Sequence, residues 1–459
     1  MQTVKNDKKV TNAWAMYDWA NSVYPLTITS ALFPIYWNNQ TKDGIDIFGM
    51  HLTDSILFSY CLSVAFLVIA LINPILSGIA DSAGNKKSFM KAFVYIGVLS
   101  CFGMYFFDSA HIPIGILTFI TGTIGYAGSI VFYNAYLPEI ATEDQYDRLS
   151  AKGFSLGYIG AVILLVFNLL IVLKPELLFD INQRTLDYLK LHENIEPAEA
   201  HKLVLGQCKG EASRIAFVTV GVWWFLFSLI PFYYLPSNVK TGNSISLTKG
   251  YKELMKVFDA IKQSGLIKRY LSAFFFFSMG VQTVMYVAAT FADKELKMPT
   301  EKLIPTILLI QLIAIAGAYL FSYVSKRIGN INAMLILTAI WTFICIGAYF
   351  IYSVTAFYIL AALVGSVMGG IQSLSRSTYA KMIPQNSGDN ASYFSFYEFS
   401  EKVAIAIGTF FFGFIEHITR LYNNEISMRN SVLSLVVFFI IGFILLYRIR
   451  HVKIEDEGV

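Results

Sequence analysis

The chain has 459 residues, of which 56% are apolar, 15% aromatic and only 14% charged. A soluble protein of this length needs more charged side chains to cover its surface, so we expect lipid to be its main solvent. The net charge is +4, and no basic stripe is interleaved with stacking aromatic residues, which argues against nucleic acid as a partner.

Apolar segments long enough to cross a bilayer recur along the whole chain. A hydrocarbon core of about 30 Å needs about 20 apolar residues per helix. Two sets of six such segments are separated by the polar stretch 236–266. The first set covers about 12–37, 53–79, 88–107, 112–137, 150–173 and 214–235, and the second about 267–291, 302–325, 331–351, 355–380, 391–415 and 429–449.

This pattern predicts an all-α membrane protein with twelve transmembrane helices in two six-helix halves. We expect an N-terminal half over 1–238, a linker over 239–266 and a C-terminal half over 267–459. Most Lys and Arg residues fall on one side if the N-terminus is cytoplasmic, so both termini are predicted to be cytoplasmic. Apolar residues at helical spacing predict that the linker is an amphipathic helix on the inner leaflet.

The first span contains a run of polar and aromatic residues, from Trp14 to Tyr24. Helical spacing puts Asp18 and Ser22 on one face with Asn21 at its edge, and Tyr17 lies in the same run. Such residues are costly inside a membrane, so they are candidates for lining a solute cavity. Alternatively, Asp18 lies near the inner interface, where water or a base from the other half satisfies it.

A short charged loop follows the second span. It contains the acid Asp81, the turn residue Gly84 and the bases Lys86 and Lys87. Its position between two apolar segments suggests a gating loop on the inner side of the membrane.

Two middle spans carry polar stripes that are candidates for lining the same cavity. Span four presents Tyr126 and Tyr133, with Asn134 beside them, and span seven presents Gln282 and Tyr286. Aromatic hydroxyls and amides suit a polar organic solute better than a bare ion, because they offer donors, acceptors and an apolar face. Hydrogen bonding between helices is the alternative for each of them. The long loop over 174–213 is expected to form a solvated outer cap, in which Pro197 begins a short helix.

The strongest charge cluster in the chain lies in spans ten and eleven. Span ten carries Gln372 and Arg376 four residues apart, and span eleven carries Glu398, Glu401 and Lys402. Glu398 and Lys402 are placed to pair at i,i+4, which leaves Glu401 to meet Arg376 or to accept a proton. A static ion-pair network that stabilises one conformation is the alternative.

The two halves repeat one another in detail. Gly84 plus 245 residues gives Gly329, and Pro138 plus 246 gives Pro384. Asp81 corresponds to Lys326, so the second copy lacks the acid of the first loop. Glycines at helical spacing predict close helix packing. These glycines are Gly122, Gly125, Gly128, Gly153, Gly157, Gly160, Gly365, Gly369 and Gly370.

Several classes of chemistry lack their signatures in this sequence. All six histidines fall in loops or at span ends, so no metal site or haem ligation is predicted inside the membrane. A Walker A motif is absent, and we expect no cofactor and no direct use of ATP. The chain is therefore not expected to be an enzyme.

Three motifs together resemble a known family. They are Tyr17-Asp18-Trp19-Ala20-Asn21-Ser22, the loop Ala80-Asp81 with Asn85-Lys86-Lys87, and Tyr133-Asn134-Ala135-Tyr136-Leu137-Pro138 with Ser150-Ala151-Lys152-Gly153. The loop is similar to the one between helices two and three of the major facilitator superfamily. The whole set resembles bacterial relatives of the autophagy-related vacuolar effluxers.

This resemblance implies a secondary transporter in the bacterial cytoplasmic membrane. The halves are expected to rock about a cavity lined by spans one, four, seven and ten. The expected solute is small, polar and organic, with amino acids as candidates, and the expected direction is export. Asp81 is predicted to latch the inner gate against the start of span eleven near Asn390, where the helix dipole favours an anion. Glu398 or Glu401, with Asp18 as an alternative, would carry the coupling proton.

Two other classes stay open at this point. A membrane sensor or scaffold without transport activity would share the same spans. A membrane-embedded lipid-processing enzyme would need a nucleophile and base, or metal ligands, grouped at one face, and only the cluster in spans ten and eleven groups reactive side chains in this way.

Overall fold

A computed structural model describes most of the chain. The described residues are 4–42, 45–47, 50–52, 54–192, 194–237, 246–298, 300–384, 388–422 and 427–451. The first seven residues of the predicted linker, 239–245, lie outside this set.

The described part is almost entirely helical. The elements before the linker are α1 (Lys8–Asn21), a π-helical segment (Pro25–Ala31), α2 (Leu32–Gln40), β1 (Ile45–Ile47), β2 (Met50–Leu52), α3 (Asp54–Ala83), α4 (Lys86–Gly103), α5 (Ile112–Ala135), α6 (Leu137–Ile140), α7 (Glu143–Leu173), α8 (Ile181–Leu191) and α9 (Pro197–Tyr234). The strands β1 and β2 form one antiparallel hairpin, with Asp46 opposite His51.

The second half repeats this helical organisation after the linker helix. Its elements are α10 (Leu247–Gln263), α11 (Gly265–Leu296), α12 (Thr300–Ile328), α13 (Asn330–Tyr349), α14 (Val354–Met382), α15 (Asn390–Tyr422), α16 (Ser427–Ser434) and α17 (Val436–Ile449). Two short 3-10 turns, Met104–Phe106 and Pro175–Leu177, extend the ends of α4 and α7.

Eleven helices in the described residues are long and apolar enough to cross a membrane. They correspond to predicted spans two to twelve. The first predicted span, 12–37, is also helical, but it is divided among α1, the π-helical segment and α2, so no single piece reaches the length of a span. The prediction of an all-α membrane protein is therefore confirmed.

The interruption of the first span has a local chemical cause. Pro25 has no backbone N–H and opens the π-helical segment, whose wider turn re-forms hydrogen bonding further along. The Thr29 hydroxyl donates to the Pro25 carbonyl oxygen at 2.5 Å, which satisfies one acceptor inside the irregular stretch. Such breaks occur in membrane helices where neighbouring groups satisfy the backbone.

The linker helix α10 packs on the protein rather than lying free on a lipid surface. Gly250 and Gly78 on α3 pack backbone to backbone, since a Cβ added at Gly78 would stand 2.3 Å from the Gly250 carbonyl oxygen. Leu254 and Ile261 are buried, whereas Tyr251 is 57% exposed. A helix therefore occupies most of the predicted linker, and part of its apolar face packs on α3.

The long loop between spans five and six is more ordered than a solvated cap. Pro197 does begin a helix, but this helix is not short, because α9 runs without interruption from Pro197 to Tyr234. The first turns of α9 pack against α8 through a small apolar cluster of Ile181, Val204 and Cys208. A helical hairpin therefore projects from the first half, and we call α8 with the first turns of α9 the outer hairpin.

The internal repeat is visible in the backbone. Gly84 and Gly329 both have positive φ, at 62° and 84°, in the turns that join α3 to α4 and α12 to α13. Glycine adopts this left-handed conformation without the steric cost that a side chain adds. The two glycines that are 245 residues apart in the sequence thus occupy equivalent turns in the two halves.

Candidate functional site

A cavity of about 230 Å³ lies between the two halves. Its walls come from the broken first span and from α3, α5, α7, α11, α12, α14 and α15. The residues that line it are Asp18, Asn21, Ser22, Pro25, Leu26, Thr29, Ser30, Phe66, Tyr126, Ile130, Asn134, Phe154, Tyr158, Ala161, Phe274, Phe277, Ser278, Val281, Gln282, Met285, Tyr286, Gln311, Met368, Ile371, Gln372, Ser375, Arg376, Tyr397, Glu398, Glu401, Lys402 and Ile405.

One end of the cavity holds an ion pair between the halves. The Arg376 Nη2 donates to Asp18 Oδ2 at 3.1 Å, and the Tyr133 hydroxyl donates to the same oxygen at 2.8 Å. Arg376 also donates through Nε to the Ser150 hydroxyl at 2.9 Å. Because both charges are buried, each depends on these hydrogen bonds to offset the loss of water. A base from the other half satisfies Asp18, while Asp18 still faces the cavity.

Aromatic rings surround the Arg376 guanidinium. Its central carbon lies 4.8 Å from the ring centroid of Trp14, 5.4 Å from that of Tyr133 and 4.2 Å from that of Phe154. Aromatic faces attract cations, most strongly where water is excluded. The first half thus provides a cage for a cation that the second half supplies.

A second charged group lies on α15. Lys402 Nζ donates to Glu401 Oε2 at 2.5 Å and lies 3.2 Å from Glu398 Oε2, which is the predicted i,i+4 pair. Gln282 donates to Glu401 Oε1 at 2.8 Å, and Asn134 donates to Glu398 Oε1 at 2.9 Å. This second group therefore also joins both halves, through Asn134.

Of the two alternatives for Glu401, contact with Arg376 is not the one present in this structure. Arg376 pairs with Asp18 across the interface, and Glu401 pairs with Lys402 and Gln282. Both groups lie on neighbouring helices, but the guanidinium extends toward α1 and α7 instead of α15. Arg376 Nη1 approaches Asn134 Oδ1 at 3.4 Å, and Asn134 is the residue that links the two charged groups.

The structure brings together most of the side chains that the sequence analysis selected. All of the predicted cavity and charge-cluster residues line the cavity except Tyr17 and Tyr133. Both tyrosines are buried behind its wall, where their rings pack 4.8 Å apart. Tyr133 still acts on the site through its hydrogen bond to Asp18.

Sequence reasoning missed the contribution of span five. The Tyr158 hydroxyl donates to Gln372 Oε1 at 2.5 Å, and Ser150 binds Arg376. Tyr158 lies one and a half turns beyond Gly153, in the glycine-rich stretch that was interpreted only as a packing surface. The polar residues in this glycine-rich stretch could have indicated that span five contributes to the cavity.

The glycines of α7 allow this close approach. A Cβ at Gly153 would lie 2.3 Å from Asp18 Oδ2, and a Cβ at Gly157 would lie 2.4 Å from the Ser22 hydroxyl oxygen. Real Cβ atoms essentially never come so close to another atom. The predicted packing role of these glycines is thus confirmed, and it places α7 directly behind the carboxylate of Asp18.

The gating loop closes the interface on the side of the cavity where α10 lies, which we call the linker side. Asp81 accepts hydrogen bonds from the backbone N–H of Ser392 at 2.7 Å and of Ala391 at 3.3 Å. The Ser392 hydroxyl donates to Asp81 as well, at 2.8 Å. These groups belong to the first turn of α15, where the helix dipole favours an anion. The predicted contact is present, and its role as a latch stays a prediction.

The two bases of the loop act differently. Lys86 pairs with Glu139 and lies 3.7 Å from Asp81, so it joins the network around the start of α15. Lys87 Nζ donates to the Leu235 carbonyl oxygen at 2.7 Å, which ties the start of α4 to the end of α9. Lys87 thus stabilises the first half internally.

The second copy of the loop also binds an acid, which comes from the other half. Asp147 on α7 accepts from Asn330 at 2.7 Å, from the Ser325 hydroxyl at 3.2 Å and from Lys381 at 2.8 Å. Lys326, the counterpart of Asp81, does not provide this contact. The linker side is therefore held by two acids of the first half, Asp81 in the last turn of α3 and Asp147 on α7.

The linker helix adds a third contact on this side. Lys256 on α10 donates to Asp389 at 2.8 Å and to Glu253 at 2.7 Å. Burial raises the pKa of Asp389 to about 6, although Lys256 acts in the opposite direction. Hydrogen bonds to the two carboxylates raise the pKa of Lys256. Phe258 and Phe396 pack with ring centroids 5.9 Å apart beside this ion pair.

The fold is that of the major facilitator superfamily of membrane transporters. The chain superposes with a TM-score of 0.69 on the fucose transporter FucP in its outward conformation, covering 97% of this chain and 98% of FucP at 14% identity. It superposes equally well on the human organic anion transporter MFSD10, with a TM-score of 0.68, 12% identity and coverage of 96% and 100%. Such low identities establish the shared fold alone.

Sequence similarity identifies the family to which the chain belongs within this superfamily. Residues 6–184 and 201–457 match the family described as vacuole effluxer Atg22 like, and the chain belongs to that family. The uncharacterized MFS-type transporter YxiO of Bacillus subtilis (strain 168) is 27% identical over 446 residues, which cover 96% of this chain and 95% of YxiO. Autophagy-related protein 22 of Kluyveromyces lactis is 25% identical over 432 residues, covering 84% and 77% respectively. The resemblance read from the sequence is confirmed, and the chain is a multi-pass MFS-type transporter.

Proposed function

We propose that this protein is a secondary transporter that moves a small polar organic solute across the bacterial cytoplasmic membrane by alternating access. The observation that carries the proposal is a cavity between the halves whose charged residues come from both. Asp18 and Asn134 of the first half bind Arg376 and Glu398 of the second. Movement of one half against the other must break or exchange these contacts, so the state of the cavity and the position of the halves are linked.

The contacts around the cavity define one end of the transport cycle. Asp81, Asp147 and Lys256 all join elements on the linker side. If the linker is cytoplasmic, as the distribution of basic residues predicts, this arrangement faces outward. The inward-facing state requires that these contacts are released and that the cavity closes on the side away from the linker. The rocking motion that repeated halves permit would produce both changes.

Proton coupling is proposed for Glu398 or Glu401, with Asp18 as the alternative. All three carboxylates line the cavity. Asp18 and Glu398 bind partners in the other half, Arg376 and Asn134, whereas Glu401 binds Gln282 and Lys402 of its own half. A carboxylate that loses a basic partner or a hydrogen-bond donor during the cycle binds a proton more readily. Uptake of the proton in one state and its release in the other would couple transport to the proton gradient.

The proposed direction is export, and the proposed solutes include amino acids. The family description refers to effluxers, and the cavity offers amides, hydroxyls and both signs of charge to a solute. These finer assignments rest on the family description and on the chemistry of the lining.

Counterflow in proteoliposomes tests this function. Purified protein is first screened by thermal shift against amino acids, peptides, sugars and nucleosides, because a compound that binds only the folded state raises the unfolding midpoint. Compounds that shift the midpoint are then loaded into vesicles, and uptake of the labelled compound is followed. Uptake that depends on the unlabelled compound inside supports a carrier. Binding without counterflow would instead indicate a sensor or scaffold.

Coupling is tested separately in the same vesicles. A variant carrying Glu398→Gln and Glu401→Gln should not accumulate solute when a pH difference is imposed. Glu199→Gln, on the outer hairpin, serves as the matched control. Accumulation by the double variant at the wild-type level would refute the assignment of these two carboxylates.

A further inference from the structure

The fixed charges of the cavity do not balance. Asp18, Glu398 and Glu401 line it as acids, whereas Arg376 and Lys402 line it as bases. Three carboxylates against two bases leave one negative charge in excess when all five groups are ionised. An uncompensated buried charge is costly, so something that carries one positive charge, a proton or a solute, should occupy the site.

Both bases already form ion pairs with these carboxylates. Arg376 lies 3.1 Å from Asp18, and Lys402 lies 2.5 Å from Glu401 and 3.2 Å from Glu398. Glu398 is only 4% exposed, and its Oε2 accepts no hydrogen bond from the described residues apart from that ion-pair contact. The excess charge therefore resides on α15, on a pair of carboxylates that share one ammonium group.

The groups that face this pair supply no further positive charge. Tyr126 of α5 and Tyr286 of α11 lie within electrostatic range of Glu401 and Lys402. Gln282 donates to Glu401, and the ring of Phe66 on α3 faces Lys402 at 5.7 Å. Arg376 on α14 belongs to the group around Asp18 at the other end of the site.

Aromatic walls make the cavity suitable for an organic cation rather than for a bare metal ion. Two protein cations already pack on these walls, since Lys402 faces Phe66 and Arg376 lies 4.2 Å from the ring centroid of Phe154. Tyr126, Tyr158, Tyr286 and Tyr397 also line the space. Rings of this kind bind ammonium groups together with their apolar substituents.

We propose that the transported solute is an organic monocation and that it exchanges with a proton at the Glu398–Glu401 pair. This inference rests on the proposed transport function and names its substrate class and stoichiometry. The single excess negative charge accepts either the proton or the solute cation, and it does not accept both. An anion would add to the excess charge, and a neutral solute would displace no proton from the pair.

The balance of the exchange is simple. In the empty site one carboxyl of the pair carries a proton, and arrival of the cation displaces that proton to the aqueous phase. No covalent bond forms, and the net charge of the occupied site is unchanged. The cavity of about 230 Å³ is smaller than the pockets of about 300–1,000 Å³ that hold drug-sized ligands, so the cation should be small.

Matched pairs of probes separate charge from shape. Choline and 3,3-dimethylbutan-1-ol have nearly the same shape, and only choline is charged. Lysine and glutamine provide a second pair of similar size that differs by one positive charge. Binding is measured by calorimetry in buffers of different ionisation enthalpy, which also reports the protons released. We expect the cation of at least one pair to bind at least tenfold more tightly than its neutral partner, with release of close to one proton at low pH.

The pH dependence provides an independent readout. Below the pH at which the pair loses its proton, each unit of acidification should weaken cation binding by up to tenfold, because proton and cation compete. The Glu401→Gln variant removes the excess charge, so its affinity for the cation should fall and its proton release should vanish. The Glu199→Gln control on the outer hairpin should behave like the wild type.

The outcomes distinguish this inference from the transport function itself. Tighter or equal binding of the neutral partner, proton release below one fifth of a proton, or no binding of either cation at 20 mM would overturn the cation assignment. Counterflow of a neutral solute by the same vesicles would show at the same time that transport stands. Cation binding without counterflow would contradict transport while supporting the charge argument.

Discussion

The close approach of α7 to α1 makes Gly153→Ala a sharp test of the site. The added Cβ would lie 2.3 Å from Asp18 Oδ2, 3.0 Å from Arg376 Nη2 and 3.2 Å from the Tyr133 hydroxyl oxygen. A normal contact starts at 3.4 Å, so the carboxylate or the helix must move by about 1 Å. One methyl group therefore disturbs the ion pair and the hydrogen bond of the tyrosine together.

The expected magnitude follows from those two interactions. Tyr133 and Arg376 donate to the same carboxylate oxygen at 2.8 and 3.1 Å, and a shift of about 1 Å lengthens both beyond hydrogen-bonding distance. A hydrogen bond to a charged group contributes about 1.5–3 kcal/mol. Partial relaxation of α7 offsets some of this loss, so we expect destabilisation by about 2–4 kcal/mol.

The assay compares Gly153→Ala with Gly206→Ala. A Cβ at Gly206 meets nothing within 4 Å, and alanine there should leave the protein unchanged or more stable by up to about 1 kcal/mol. Thermal unfolding in detergent should show a lower midpoint for the first variant only. Its initial counterflow rate should also fall at least tenfold, because the cavity loses an organised Asp18. Wild-type stability and rate in Gly153→Ala would refute the argument.

Three further predictions concern the linker side. Asp81→Asn should alter the transport rate. It should also raise, at least threefold, the fraction of protein that a cysteine reagent labels from the linker side. Unchanged labelling and an unchanged rate would exclude the latch. Asp147→Asn should lower the unfolding midpoint, because Lys381 stays buried without its carboxylate, and Asp147→Asn combined with Lys381→Met should recover part of that loss. The raised pKa of Asp389, about 6, means that its stabilising contribution is complete below the unfolded pKa of about 3.9 and is lost as pH rises through 6. The difference in unfolding midpoint between wild type and Asp389→Asn should therefore change between pH 4 and 7. When both proteins also carry Lys256→Gln, this change should move to higher pH, because Lys256 lowers the pKa of Asp389. A constant difference would show that Asp389 is not the titrating group.

Hydrophobic patterning was sufficient to locate the spans and most of the polar faces. A bilayer requires each segment to be apolar over a fixed length, so spans two to twelve were predicted close to their observed positions. The same periodicity put Asp18 and Ser22 on the face that lines the cavity. The interruption at Pro25 was not placed, because a proline alone does not specify which turn becomes π-helical.

Contacts between helices were harder to predict. Contact with Glu401 was one alternative considered for Arg376, because both lie on neighbouring spans, yet the guanidinium binds Asp18 of the other half. Sequence spacing shows which face of a helix a residue occupies, but not which helix packs against that face. Here the glycines of α7 allow α1 to approach closely. The contact of Asp81 with the start of α15 was predictable because a helix N-terminus attracts an acid wherever it lies.

Because α9 is one unbroken helix, the outer hairpin moves together with the first half of the protein. The 38 residues of α9 extend about 57 Å at 1.5 Å per residue, and one end is built into the first half within the membrane. Each degree by which that half tilts displaces the far end of such a rod by about 1 Å. A fluorophore at the tip of the outer hairpin would thus magnify a rotation that is small at the cavity, and it would report the turnover of single molecules without any label near the solute.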